Sequence, residues 1–361
     1  MATAVQLAVW WGVFARLAFY RPFIPKNLEK KPPCSVLLCA RNAAPLLRRN
    51  LGAILEQDYP DFEVLVVDDA STDDTAAVLA FFQKKYPRLR SIRLSEKNLP
   101  GKKAALARGI AETRHQLLVF TDADCRPAGP HWLKEMTRAF ADPRVEIVLG
   151  YGPVQPEPGF LNRWATYETI VTALQYGGFA LAGMPYMGVG RNLAWRKPLF
   201  ERVGGFASHE RLASGDDDLL VNAAATPGNT VLCFAPKAFV FSPAKSDWQS
   251  WLRQKRRHLS TGTSYRPLHR LVLGATALSQ VLHYGLGIGL LLAGFGTEYV
   301  LGGYFLRQST VWLLGGRICT LWGERRLVPW LPALDALMGL YYALFVPFTL
   351  INRGKTLNPW T

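Results

Sequence analysis

Four clusters of polar side chains in this 361-residue chain have the types and spacing of reacting groups. Asp68-Asp69 ends one apolar run, Asp122-Ala123-Asp124 ends a second, Asp216-Asp217-Asp218 opens a helix-like stretch, and Gln254-Lys255-Arg256-Arg257-His258 precedes a long apolar segment. Carboxylates beside apolar strands are costly unless a cation sits among them. In Asp122-Ala123-Asp124 two carboxylates fall on one side of an extended segment, because side chains alternate with period two. That pair suits Mg²⁺ or Mn²⁺, bound through one or two carboxylates plus substrate phosphates. Such a metal neutralises a departing diphosphate. A plainer use is a turn in which one Asp caps a helix over residues 130–140.

Asp68-Asp69 can accept hydrogen bonds from a nucleoside base or ribose, and the run Asp68 to Asp73 can equally close an Asx turn. Gly101-Lys102-Lys103 opens a helix, where backbone amides and a lysine favour phosphate. Three adjacent carboxylates at 216–218 repel one another, which lifts one of them toward the range of a general base. Asp216 is expected to cap a helix over 217–225, leaving a neighbour to take a proton from an incoming hydroxyl. Gln254 and Arg257 lie three apart on a helix and share a face with Trp251 and His258, as a phosphate and sugar platform needs. The same cations also suit an ordinary membrane flank.

The elements that position these groups alternate. Ser35 to Ala40 and Phe62 to Val67 read as strands, residues 45–56 and 75–86 as helices, then 91–94 as a strand, 102–112 as a helix and 116–121 as a strand. Continuous apolar strands imply a mostly parallel sheet covered on both faces, an α/β fold. Such sheets bind ligands at the carboxyl ends of their strands, where both early Asp clusters fall. After Pro153 the alternation weakens, and a helix-like stretch over 162–182 opens a second half-domain. Trp164, Tyr167 and Trp195 there are candidate walls for sugar or lipid, or core.

Residues 271–296 contain no Asp, Glu, Lys or Arg, a run longer than the roughly 20 residues a membrane helix requires. Stretches at 299–322, with Arg307 and Arg317, and 328–351, with Asp335, make three C-terminal spans the expectation. Residues 2–20 read as an N-terminal anchor followed by Arg21, Lys26, Lys30 and Lys31, a cytoplasmic flank matched by Arg253 to Arg270. The formal charge of +15 concentrates beside these segments, and no nucleic-acid-binding module accompanies it. The five cysteines show no metal-ligand spacing and read as buried, reduced thiols.

In this order the clusters resemble family 2 glycosyltransferases, inverting enzymes with the nucleotide-sugar-binding α/β fold called GT-A, over about Ser35 to Ser260. SVLLCARN is similar to the family's opening strand and nucleotide loop, VVDDASTDD to its uridine-contacting segment and FTDADC to its D-x-D metal strand. GRNLAWRKPLFERVGGF resembles the acceptor-side segment, SGDDDLL the place of the catalytic base, and QKRRH the Q-x-x-R-W motif of membrane polysaccharide synthases. The resemblance implies nucleotide contacts at Ala40, Arg41, Asp68, Asp69, Lys102 and Asp122, and Mg²⁺ or Mn²⁺ held by Asp124 with Asp122. It implies a base at Asp217, where the family's E-D pair has its Asp, and acceptor or diphosphate contacts at Asp216, Asp218, Gln254, Arg257 and His258. His258 stands where the family has Trp, and Ala107 where Asn is common.

The expectation is therefore a membrane glycosyltransferase with an anchor at 1–22 and a cytosolic GT-A domain at 33–260, nucleotide-binding over 33–150 and acceptor-binding over 151–260. A membrane region of about three helices follows at 270–352. Its partners are a UDP-sugar donor, a glycan or lipid-linked acceptor and membrane lipids, with no nucleic acid, and its location the bacterial inner membrane with the catalytic domain cytoplasmic. A processive polysaccharide synthase and a pyrophosphate-releasing sugar nucleotidyltransferase are the enzymatic alternatives. A transporter or scaffold with a degenerate domain is the non-enzymatic one.

Overall fold

The computed structural model describes residues 1–23, 31–95 and 101–351. The flanking charges at Lys26 and Lys30 lie outside the described residues. Two compact units form: an α/β unit of Pro22–Glu157 with Pro185–Thr261, and a helical unit of Met1–Arg21, Pro158–Met184 and residues 262 to 351.

In the α/β unit the strands are β1 (Cys34–Ala40), β2 (Phe62–Asp69), β3 (Leu89–Leu94), β4 (Leu117–Phe120), β5 (Arg126–Pro127), β6 (Ile147–Gly150), β7 (Leu193–Arg196), β8 (Thr230–Cys233) and β9 (Val240–Phe241). Seven of them form one sheet in the order β3-β2-β1-β4-β7-β6-β8, while β5 and β9 pair separately. The pairs β2 with β3, β1 with β2, β1 with β4 and β6 with β8 are parallel; β7 runs antiparallel to both its neighbours. Every residue of β1 and β2 is buried, which is why both read as continuous apolar runs rather than alternating ones. On one face Val36, Leu38, Val64 and Val66 pack in a single cluster with Leu47, Leu51, Ile54 and Leu55 of the helix Ala44–Leu55. Helices Thr75–Lys85 and Lys103–Glu112 return the chain to β3 and β4. The right-handed crossovers of such βα units leave the carboxyl ends of β1, β2 and β4 side by side.

The helical unit contains Ala2–Val9, a π-helical turn Trp10–Phe14 and Ala15–Ala18, then Phe160–Leu181, Pro267–Leu292, Thr297–Thr310, a second π-helical turn Val311–Gly315, Gly316–Leu321 and Leu331–Ile351. The stretch Phe160–Leu181, expected in the acceptor half, belongs to this unit, with Ala165, Ile170, Ala173 and Leu174 buried. Among the described residues two helices are long and apolar enough to cross a membrane, Pro267–Leu292 and Arg325–Phe345, where three were expected at the C-terminal end. The middle stretch is helical but carries Arg307, fully buried at 0% exposure. Arg307 donates to Gln6 Oε1 at 2.8 Å through Nη2 and pairs with Asp335, whose carboxylate also accepts from Tyr284 and Gln280. Arg307 and Asp335 thus satisfy one another inside the unit, while the exposed Arg317 donates to Ala18 O at 2.7 Å.

Candidate active site

The carboxyl rim gathers the first two Asp clusters by register alone. Ala40 at the end of β1 lies opposite Asp68 of β2, and Asp68 opposite Arg93 of β3, while Asp122 to Asp124 form the turn just after β4. Arg41 follows Ala40 on the same rim. Asp68 Oδ1 accepts the Ser71 amide at 3.0 Å, the Asx turn anticipated from sequence, and Oδ2 faces Arg93 Nε at 3.7 Å. The Asn42 amide donates to Ser71 Oγ at 2.9 Å and the Thr72 amide to Asn42 Oδ1 at 2.8 Å, so the loops after β1 and β2 lock together. Asp69 is fully buried at the end of β2.

Lys102, at the N-terminus of its helix, reaches across to Asp122 Oδ1. Burial pushes the Asp122 carboxyl up, but Lys102, then Arg191 and Arg257, outweigh it and hold it below the usual carboxylate range. Burial likewise lowers the Lys102 ammonium, and Asp122 and Asp216 reverse that, so it stays charged. Beneath them the Cys39 thiol is pushed up by burial and lies in the fields of Lys102, Asp216, Asp122 and Asp69. One strand-end residue feels both the donor-side and the triplet carboxylates, which brings the separate sequence clusters to one place.

Ligand atoms of Asp122, Asp124 and Cys125 lie within 4.8 Å of one another, and the turn is pinned by Asn50 Nδ2 donating to Ala123 O at 3.2 Å. Burial keeps the Cys125 thiol protonated, which leaves two carboxylates, the donor set a hard Mg²⁺ or Mn²⁺ takes together with phosphate oxygens. These residues fit such an ion.

Asp217 is the N-cap of the helix Asp218–Ala224, the role expected of Asp216. Its Oδ1 accepts the Asp218 amide at 2.8 Å and its Oδ2 the Gly190 amide at 2.6 Å. Burial first, then Asp216 and Asp218, push the Asp217 carboxyl up to about 7 against those two amides. Asp218 is committed elsewhere: Oδ1 accepts the Leu219 amide at 2.8 Å and Oδ2 the Thr261 hydroxyl at 2.5 Å. A carboxyl shifted in this way suits proton abstraction near neutral pH.

Gln254 and Arg257 are half-buried and His258 is exposed on the helix Trp248–Leu259, capped by Asp247 accepting the Ser250 amide at 2.8 Å. The surrounding cations Lys255, Arg257, Arg191 and Lys245 favour the neutral imidazole of His258. Trp195 is stacked between Phe120 and Phe200 at 4.6 and 5.7 Å and is core; Trp164 and Tyr167 are buried in the helical unit.

Arg191 was invisible as a site residue in the sequence, where it is one cation inside an apolar segment. Its Nε and Nη2 both donate to Gly152 O, at 3.0 and 2.6 Å, and its field reaches Asp122 and His258. A Cβ at Gly152 would sit 2.2 Å from Arg191 Nε. Gly152→Ala is therefore expected to displace Arg191 at an overpacking cost of about 1–3 kcal/mol, and to weaken nucleoside diphosphate binding, read by calorimetry with UDP and GDP.

A sheet with this rim places the site where open α/β sheets take nucleotides. The family model described as Glycosyl transferase family 2 matches residues 35–207. The chain is 31% identical over 223 residues to glycosyltransferase AglE of Haloferax volcanii, covering 59% of this chain and 68% of that protein. It is 27% identical over 258 residues to the probable glycosyltransferase YdaM of Bacillus subtilis, covering 68% of this chain and 60% of that protein. The fold matches that of the mannosyltransferase PcManGT from Pyrobaculum calidifontis, solved in complex with GDP-Man and Mn²⁺, with a TM-score of 0.58 at 21% identity over 94% of this chain and 98% of that one. The chain belongs to the family 2 glycosyltransferases, and its α/β unit has the GT-A fold.

Proposed function

We propose that this protein moves a sugar from a nucleoside diphosphate donor to a hydroxyl of a lipid-linked or glycan acceptor at a membrane, inverting the anomeric carbon. The observation that carries the reading is Asp217, a carboxyl pushed up to about 7 in the same cluster of charges as Asp122 and Lys102. Asp217 takes the proton of the acceptor hydroxyl as its oxygen bonds to the anomeric carbon, and the bond from that carbon to the phosphate oxygen breaks. Asp68, Asp69, Ala40 and Arg41 hold the nucleoside, and Lys102, Arg257 and Arg191 meet the negative charge that develops on the leaving diphosphate. Asp216, Asp218, Gln254 and His258 line the acceptor and diphosphate side. Bound Mg²⁺ or Mn²⁺, held by Asp124 and Asp122, supplies charge neutralisation of that diphosphate.

The helices Pro267–Leu292 and Arg325–Phe345 are the membrane segments in this reading, and Leu271, Leu278, Leu286 and Ile288 are exposed along the first. The basic run Arg253 to Arg270 then faces the cytoplasm, with the catalytic domain at 33–260, an N-terminal anchor at 1–22 and the membrane region at 270–352. We read the membrane as a bacterial inner membrane and the donor as a UDP-sugar.

The test is a panel of UDP- and GDP-sugars with Mg²⁺ or Mn²⁺ and membrane lipids, read by nucleoside diphosphate release from the full-length protein. Release that EDTA abolishes and Mn²⁺ restores is expected, and Asp124→Asn should lose it while remaining folded. Pyrophosphate as the product, or turnover indifferent to EDTA, overturns the reading or its metal.

A further inference from the structure

We propose that Lys103 is a positioning residue for the transfer reaction: its buried ammonium fixes the loop that delivers the acidic triplet, and with it the place of Asp217. The proposal rests on reading Asp217 as the base. In the sequence Lys103 is the second half of a lysine pair at a helix start, and both lysines look like phosphate ligands. The structure separates them. Lys102 turns to Asp122, whereas Lys103 is 0% exposed and its Nζ donates to His209 O at 2.5 Å and Leu212 O at 2.6 Å.

A lysine ammonium in a protein interior is expensive, and an apolar side chain would fill the space at lower cost unless its donors were needed there. The two carbonyls are what need it. They belong to the loop between the helix Lys197–Arg202 and the triplet, a loop with three left-handed glycines, Gly204, Gly205 and Gly215, at φ 74°, 60° and 97°. Among the described residues its regular structure is one short 3₁₀ turn, Ala207–His209. Backbone that permissive does not define its own path. Burial pulls the Lys103 ammonium down to about 8, and Asp216 and Asp218 oppose that pull, so the ammonium and the triplet act on one another.

The triplet is thereby held on three sides. The Gly190 amide fixes Asp217 Oδ2, the Thr261 hydroxyl fixes Asp218, and Lys103 fixes the chain upstream. Consecutive residues of one helix start then set both halves of the reaction: Lys102 the donor-side carboxylate, Lys103 the base-side loop. A base displaced by about 1 Å costs on the order of 10²-fold in rate, while donor contacts elsewhere stay intact.

Lys103→Met and Lys103→Arg in the full-length protein in lipid nanodiscs test this. For Lys103→Met, kcat is expected to fall on the order of 10²-fold, with donor KM and the affinities for Mn²⁺-UDP and Mn²⁺-GDP changed by less than about twofold. Amide hydrogen exchange should accelerate across residues 204–215 and not in β1 or β2, and Lys103→Arg should recover both exchange protection and kcat. Wild-type exchange in that loop, or equal losses in kcat and nucleotide affinity, overturns the proposal. Asp217→Asn separates the two readings: if it retains turnover the base assignment fails, whereas the loop exchange of Lys103→Met still decides whether Lys103 sets the loop.

Discussion

Asp217→Asn is expected to lower kcat by about 10²–10⁴-fold, the usual loss when a positioned base is removed, with Mn²⁺-nucleotide affinity unchanged. An amide cannot take a proton, and its one oxygen can accept from the Gly190 amide or the Asp218 amide but not from both. The pH dependence follows from the direction of the shift. A carboxyl pushed up to about 7 is protonated and idle below that value, so wild-type kcat should rise with pH and level off above about 7. The stability effect has the opposite sense. The folded state keeps this proton up to about pH 7 while the unfolded chain releases it near the ordinary value of 3.8. The native state therefore binds more protons between those values, and stability contributed by this group is full below the unfolded pKa and lost as pH rises through the folded one. Asn does not titrate and loses one of the two amide contacts at every pH, so the stability of wild type relative to the variant should fall as pH rises from 4 to 8. A variant that turns over normally, or whose melting difference from wild type does not change between pH 4 and pH 8, contradicts the assignment. Asp218→Asn gives a useful contrast, because its carboxylate serves Thr261 and Leu219; it should lose stability as well as rate.

The same triplet shows where sequence reasoning reached and where it stopped. Three adjacent carboxylates do not say which of them takes which partner, since Asp217 meets the Gly190 amide and Asp218 the Thr261 hydroxyl, 27 and 43 residues away. The Asp68 and Asp122 clusters were legible because each ends an apolar run, and strand ends of a parallel sheet share a rim. β7 was not: its four residues, LAWR, carry no sign that they run antiparallel between β4 and β6. Phe160–Leu181 read correctly as a helix, yet it is apolar on most sides, so its pattern does not name the unit it joins. Arg191 was missed, and Lys103 was read only as part of a phosphate-favouring helix start, for one physical reason. A cation whose partners are backbone carbonyls leaves no complementary side chain in the sequence to find.

Arg307→Met is expected to have the largest effect on stability. Arg307 on Thr297–Thr310 binds Gln6 of Ala2–Val9 and Asp335 of Leu331–Ile351, and Asp335 accepts from Gln280 and Tyr284 of Pro267–Leu292. Tyr167 of Phe160–Leu181 reaches the same carboxylate at 3.4 Å. Five helical segments meet at one buried ion pair. Hydrogen bonds to a charged group contribute about 1.5–3 kcal/mol each, so losing Gln6 or Tyr167 alone should cost less than losing either charge. Leaving one charge buried and unpaired costs about 3–5 kcal/mol, which makes Arg307→Met and Asp335→Leu severe singly. The paired change Arg307→Met with Asp335→Leu removes both charges and should recover most of that loss. Thermal unfolding in nanodiscs, read as a double-mutant cycle, measures the coupling. A coupling near zero would mean that the helices are held by their apolar faces and that the pair is incidental. A coupling of several kcal/mol would mean that these two charges specify how the helices associate, since apolar side chains alone fit lipid as well as they fit one another.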